Sequence, residues 1–121
     1  MNEVSHRRGN VFNPTCPSRV VLKQLTNSWG ILVILALRSG TLRFSDIRRK
    51  VAGISEKMLA QTLKDLEKIG MLSRHSYNVV PPHVDYTLTP FGLEASNRLL
   101  DLSGWIEDRL VDILKLQQSS T

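Results

Sequence analysis

The residues best suited to chemistry stand in one row. Lys57, Gln61, Lys64 and Lys68 recur at the spacing that places side chains along a single face of an α-helix. Three ammonium groups and one carboxamide in line suit a polyanion, because lysine neutralises phosphate, and lysine and glutamine also pair with guanine and adenine edges in a major groove. The opposite face carries Met58, Leu59, Leu63, Leu66 and Ile69, so the segment predicts a helix with one side in a core and one in solvent. Charged rows also decorate ordinary solvated helices, and here the surroundings decide. Arg43, Arg48, Arg49 and Lys50 come just before, Arg74 and His75 just after, and acids are few between them, which is the footprint of a nucleic-acid binder.

Other chemistries find little support. No carboxylate pair, activated nucleophile or glycine-rich phosphate loop stands in a plausible context, so an enzyme is not expected. Three histidines (His6, His75, His83) and one cysteine supply no zinc-type ligand spacing, and neither metal nor cofactor is expected. Cys16 has two readings. A lone cysteine is commonly an inert small residue, but this one precedes Pro17 at the start of a predicted helix, near Arg19 and Lys23, where dipole and cations favour the thiolate of a redox sensor.

The elements that must position these groups follow from pattern and punctuation. A short helix is predicted from Pro17, with Val20, Val21 and Leu25 as its apolar stripe. Ser28 is the expected cap of a second helix in which Trp29, Ile31, Leu32, Val33, Ile34, Leu35 and Leu37 leave almost no polar face, so that helix must be buried in the core or between subunits. Residues 43–51 form a third short helix on Phe44, Ile47 and Val51. A turn at Gly53, a cap at Ser55 and the lysine-bearing helix up to Gly70 then complete helix, turn, helix. Beyond Gly70 the period falls to two: residues 71–77 and 83–88 read as a hairpin with a stiff loop at Pro81-Pro82. Thr89-Pro90 opens a last helix richer in apolar residues than one small domain can cover, which favours a dimer.

With 121 residues, 41% of them hydrophobic, one domain is expected. Its positive charge is concentrated: residues 1–88 hold 13 Lys/Arg against 6 Asp/Glu, whereas residues 89–121 hold 3 against 5. The fold class predicted is mainly α with a small β-hairpin wing (α+β), a winged helix-turn-helix whose N- and C-terminal helices form a dimer interface. Residues 1–14 are expected as a flexible arm, 15–116 as the domain and 117–121 as a disordered tail. Lacking a signal-like or membrane-length apolar run, the chain is expected in the cytoplasm of a bacterial-type cell with no membrane partner.

In a helix-turn-helix the first turns of the second helix enter the major groove. Ser55, Glu56, Lys57 and Gln61 are therefore the candidate base contacts, and Arg43, Arg48, Arg49, Lys50, Lys64, Lys68, Arg74 and His83 the candidate backbone contacts, with Asn78 a further donor near the wing tip. Tyr86 is expected to pack the hairpin. The dimer interface is assigned to Trp29, Leu99, Leu102, Trp105, Ile106, Leu110 and Ile113. The partners expected are double-stranded DNA, a second copy of the chain, and a small-molecule or oxidant signal. The competing reading is a winged-helix protein-interaction module that never reads sequence, which would have no need of the aligned basic row.

Several segments resemble, in order, the HxlR family of MarR-like transcriptional regulators. They are Cys16-Pro17, Trp29 with residues 31–35, Arg43-Phe44-Ser45-Asp46-Ile47-Arg48, the run 53–63, the exit 66–74, and residues 80–92 with their double proline and Tyr86-Thr87-Leu88-Thr89-Pro90-Phe91-Gly92. The resemblance spans residues 15–110 and implies a homodimer built on the terminal helices, DNA binding by the winged helix and a target gene often near its own. For some members it implies sensing of oxidants or electrophiles through the cysteine matched here by Cys16. The chain departs from the family at Ser28, usually basic, at Gly30, commonly threonine, and in the wing at Val79-Val80 and His83.

Overall fold

A helix with no polar face has to lie at the centre of a fold, and the one after Asn27 does. The computed structural model describes residues 8–119. Its elements are α1 (Ser18–Thr26), α2 (Ser28–Ala36), β1 (Leu42–Arg43), α3 (Phe44–Lys50), α4 (Glu56–Lys68), β2 (Leu72–Tyr77), β3 (His83–Leu88) and α5 (Pro90–Ser119). Val33 and Ile34 of α2 are fully buried, and Ile47, Leu59, Leu63, Leu66, Leu72 and Leu99 complete a single core with them.

The caps differ by one residue from expectation. Asn27, not Ser28, caps α2: its Oδ1 accepts from the amides of Trp29 (3.0 Å) and Gly30 (3.3 Å). Likewise Pro17 is the residue before α1 rather than its first. At Gly30 a Cβ would lie 2.4 Å from the Gln24 carbonyl oxygen. With one residue between α1 and α2, only glycine permits that approach.

Helices α3 and α4 form the helix-turn-helix. Ser55 caps α4 through the Met58 amide (3.0 Å), as expected of a serine there. The core stripe of α4 is Leu59, Thr62, Leu63 and Leu66. Met58, expected in it, is 41% exposed, because the i, i+3, i+4, i+7 geometry from Leu59 selects Thr62 and leaves Met58 at the edge.

The sheet has three antiparallel strands in the order β1-β3-β2, one more than the hairpin predicted. Strand β1 is two residues long, too short to show a period. Arg43, expected within the third helix, instead ends β1, where it pairs with Asp85 in register, and precedes α3. The two hairpin strands lie where expected, and they pair from Leu72↔Leu88 to Tyr77↔His83.

Thr89 and Gly92 dock α5. The Thr89 hydroxyl accepts from the Gly92 amide (3.0 Å) and donates to the Gly70 carbonyl (2.6 Å), while its backbone amide donates to Met71 (3.0 Å). A Cβ on Gly92 would stand 1.8 Å from the Met71 carbonyl oxygen, so the helix can lie this close only with glycine there. The 30 residues of α5 extend about 45 Å, yet its buried residues are Gly92, Ser96 and Leu99, all in the first third.

Three expectations need correction. Leu99, assigned to a dimer interface, belongs to the protomer's own core, since it falls on the docked part of α5. Trp29 is half-buried against that core, whereas Leu102, Trp105, Ile106 and Leu110 are exposed and Ile113 half-exposed. The polar end of α5 stays helical through Ser119, and the remainder of the expected tail lies outside the described residues. So does half of the expected arm, residues 1–7; the rest of it makes hydrogen-bonded turns, with the amide of Asn13 on Asn10 (3.1 Å) and that of Cys16 on Asn13 (3.0 Å). Among the described residues no single helix is long and apolar enough to cross a membrane.

Candidate nucleic-acid interface

The solvent face of α4 carries the predicted row intact. Lys57, Gln61, Lys64 and Lys68 are all exposed, and the three lysines make no ion pair or side-chain hydrogen bond among the described residues. Gln61 is partly engaged, its Nε2 donating to Asp65 Oδ1 at 2.9 Å. Its Oε1 and the second Nε2 proton stay available, the acceptor and donor that pairing with adenine uses. Ser55 spends its oxygen on the cap but keeps its hydroxyl proton as a donor.

The cations of α3 and β1 differ from those of α4 in having partners. Arg48 reaches Glu56 (3.4 Å) and, through Nε, the carbonyl of Ile54 (3.4 Å), contacts that link α3 to the turn and to the start of α4. Arg49 pairs with Asp46 one turn away. Lys50 donates to the Ala36 carbonyl (3.2 Å) and to Ser39 (3.1 Å), satisfying the C-terminal end of α2, where a cation is favoured. Lys50, assigned to a DNA backbone, is thus turned to the fold. Phe44, Ser45, Arg48, Arg49 and Glu56 line a shallow groove between the two helices.

The hairpin has two unlike faces. Residues directly opposed in an antiparallel pair share a face, so Leu42, Leu72, Tyr86 and Leu88 turn together toward the core, as expected for Tyr86. Arg43, His75, Tyr77, His83 and Asp85 share the other face. There His83 Nε2 lies 2.7 Å from Asp85 Oδ1, and His83 Nδ1 meets the Arg43 guanidinium. Tyr77 stacks edge-to-face on both His75 (4.4 Å between ring centres) and His83 (4.6 Å). Desolvation pushes the Asp85 carboxyl upward, but hydrogen bonds from Tyr77 and His83 and the charges of His83 and Arg43 outweigh it and hold the group below the ordinary carboxylate range. The hydrogen bond to that carboxylate, then its charge, raise the Tyr77 phenol. The sequence reading missed Asp85 and Tyr77 as parts of this site, although writing out the hairpin register from its loop brings Tyr77 opposite His83 and His75 opposite Asp85. Arg74 is exposed on β2, opposite Tyr86.

Cys16 is half-buried. Its sulfur accepts from the Ser18 hydroxyl (3.1 Å) and the Asn10 amide (3.4 Å), and these bonds, the Ser18 hydroxyl first, lower the thiol below its ordinary value. The expectation of a stabilised thiolate holds in direction, but hydrogen bonds produce it rather than Arg19 and Lys23.

Comparison with known proteins gives a consistent answer. The HxlR-like helix-turn-helix family matches residues 24–113. An uncharacterized HTH-type transcriptional regulator of Escherichia coli strain K12, YtfH, is 53% identical over 111 residues, covering 92% of this chain and 88% of that protein. The solved structure of ytfH from Salmonella typhimurium is 54% identical and superposes with a TM-score of 0.85 over 92% of this chain and 99% of the other. The redox regulator HypR in its reduced form is 31% identical, with a TM-score of 0.73 over 82% of this chain and 97% of its own.

Proposed function

Because this chain belongs to the HxlR-like helix-turn-helix family of transcriptional regulators, we propose that it binds double-stranded DNA with sequence preference, as a homodimer on a near-palindromic operator. The observation that carries this is the row of Lys57, Lys64 and Lys68, unpaired among the described residues, with Gln61 on the exposed face of α4. Unpaired cations on a helix already braced at its N-terminus lose no internal bond when they meet phosphate. Ser55, Glu56, Lys57 and Gln61 at the front of α4 read bases; Lys64 and Lys68 behind them, with Arg74 and the groove cations Arg48 and Arg49, hold the backbone. Arg43 and His83 contribute from the wing.

The dimer rests on the second half of α5. Leu102, Trp105, Ile106 and Leu110 are each more than 40% exposed on the part of α5 beyond its docked first third, with Ile113 beside them, and an apolar stripe of that length is what a second copy of the same helix buries. Two α4 helices related by a two-fold axis then meet half-sites about 34 Å apart. Cys16 acts as the redox input. Its lowered thiol favours reaction with oxidants, and the likeness to a redox regulator supports that role.

The test is binding of the purified protein to DNA from upstream of its own gene and to scrambled DNA of equal length, titrated with salt, reduced and then oxidised. Preference for the upstream DNA with a steep salt slope is the expected result. Loss on oxidation in the native chain but not in Cys16→Ser supports the sensor. Binding that ignores sequence at every salt concentration overturns the regulator reading of the α4 row, and sedimentation as a monomer overturns the dimer.

A further inference from the structure

Helix α1 does not close onto the fold. An apolar stripe on a helix is ordinarily buried, yet none of the nine residues of α1 is: Val20 stays 55% exposed and Val21 half-buried. Between this stripe and the C-terminal end of α4 runs a groove of about 400 Å³, within the size range of small-molecule sites. Val20, Val21 and Ile69 make its apolar walls, and Gln24, Asp65 and Lys68 are its polar groups. The polar groups have capacity to spare. Lys68 and the Gln24 carboxamide have no partner among the described residues, and Asp65 accepts from Gln61 (2.9 Å) with one oxygen only. Asp65 and Lys68 stand three residues apart on α4, where opposite charges ordinarily meet, but they form no ion pair with each other.

We propose that this groove binds an α-amino acid with a large apolar side chain, its carboxylate on Lys68, its ammonium on Asp65 and its side chain against Val20, Val21 and Ile69, and that the bound amino acid withdraws Lys68 from DNA.

Charge complementarity selects the class of ligand. A plain carboxylic acid meets Lys68 but brings its own charge up to Asp65, and a plain amine has the reverse conflict. A molecule with both charges close together satisfies both groups, and an α-amino acid carries them on one carbon. Gln24 has both a donor and an acceptor and serves either end. The walls supply no polar group for the side chain, so an apolar one gains most by leaving water there. The link to DNA is Lys68 itself, which belongs both to this groove and to the row on the exposed face of α4. Its ammonium is a single point charge on a flexible stem, and it serves the ligand or the phosphate but not both. Ligand and DNA therefore weaken one another by the same factor. The DNA half of this inference rests on the binding reading given above; the groove and its class of ligand do not.

Two measurements separate those halves. Calorimetric titration of the full chain without DNA compares L-phenylalanine with 3-phenylpropanoate, which lacks the ammonium, and with 2-phenylethylamine, which lacks the carboxylate. Each analogue is expected to bind about tenfold more weakly than phenylalanine, the loss that one charged hydrogen bond implies. Lys68→Ala is expected to erase the advantage over phenylethylamine. Asp65→Asn, which keeps an acceptor for Gln61, is expected to erase the advantage over phenylpropanoate. Absence of phenylalanine binding overturns the site, including the case in which a second copy of the chain fills the groove. Phenylpropanoate binding as tightly as phenylalanine, or affinities unmoved by either substitution, overturns it too. In the second measurement DNA affinity is followed against salt with and without saturating phenylalanine. The slope of log affinity against log salt is expected to become shallower by about 0.9 per bound subunit, and that of Lys68→Ala, already shallower by as much, to ignore the amino acid. A native slope unchanged by phenylalanine that calorimetry shows to bind overturns the withdrawal of Lys68. No DNA binding with or without phenylalanine, with the calorimetry as expected, overturns the DNA reading and leaves the groove site standing.

Discussion

Replacing Lys64 by alanine tests both the contact and the number of subunits that make it. Lys64 lies seven residues beyond Lys57 on α4, about 10 Å along the axis at 1.5 Å per residue, which is close to the width of a major groove, about 12 Å. With Lys57 at a base edge, Lys64 is therefore placed at the groove wall, where the phosphates are. Its ammonium has no partner among the described residues, so the substitution removes a charge without breaking a structural bond, and the fold should be unaffected. Each phosphate contact contributes roughly 0.9 to the slope of log affinity against log salt. A two-fold dimer loses two contacts per substitution, so the slope becomes shallower by about 1.8; a bound monomer loses about 0.9. Equivalently, over a fourfold rise in salt each contact accounts for about 3.5-fold in affinity and the pair for about 12-fold. Fluorescence anisotropy on operator and scrambled duplexes at four salt concentrations reads the slope. The affinity ratio between the two duplexes should stay unchanged, because backbone contacts carry no base information. A slope unchanged in Lys64→Ala refutes the placement of α4 in the groove, and a changed ratio refutes the division between backbone and base contacts.

Other outcomes follow from the same geometry. Lys57→Ala and Gln61→Ala are each expected to reduce the operator-to-scrambled ratio by about 1–3 kcal/mol per half-site, measured by the same anisotropy assay. Gly92→Ala places a Cβ 1.8 Å from the Met71 carbonyl oxygen and forces α5 off the sheet with its Thr89 bonds, at a cost of about 3 kcal/mol; thermal unfolding should shift down by roughly 10 °C, and a native melting temperature would contradict the close approach. Ser18→Ala removes the main cause of the lowered Cys16 thiol, so alkylation near neutral pH should slow relative to the native chain. Because the folded value of Asp85 is depressed, its contribution to stability is present above the ordinary carboxylate range and is lost as pH falls through the lowered value. Asp85→Ala should therefore flatten the acid limb of stability against pH, as followed by denaturant midpoints.

Much of this protein could be read from its sequence because the deciding signals are local. The apolar run 31–35 requires a buried helix whatever surrounds it. Ser55 and Gly70 bound α4, and the spacing of Lys57, Gln61, Lys64 and Lys68 fixes their shared face by helix geometry alone. The two hairpin strands and their loop were legible from the change of period and the double proline, and Thr89-Pro90 marked the start of α5. The tertiary structure decided what depends on neighbours distant in the chain. Composition cannot distinguish a cation that caps a helix, as Lys50 does for α2, from one left free like Lys64, since the difference lies in which carbonyl the fold brings near. Leu99 and Leu102 look alike in sequence, and only the docking of the first third of α5 buries one and exposes the other. Two residues of β1 carry no period, yet by pairing with β3 they bring Arg43 to His83 and Asp85, some 40 residues away, and that meeting exists only when the sheet closes.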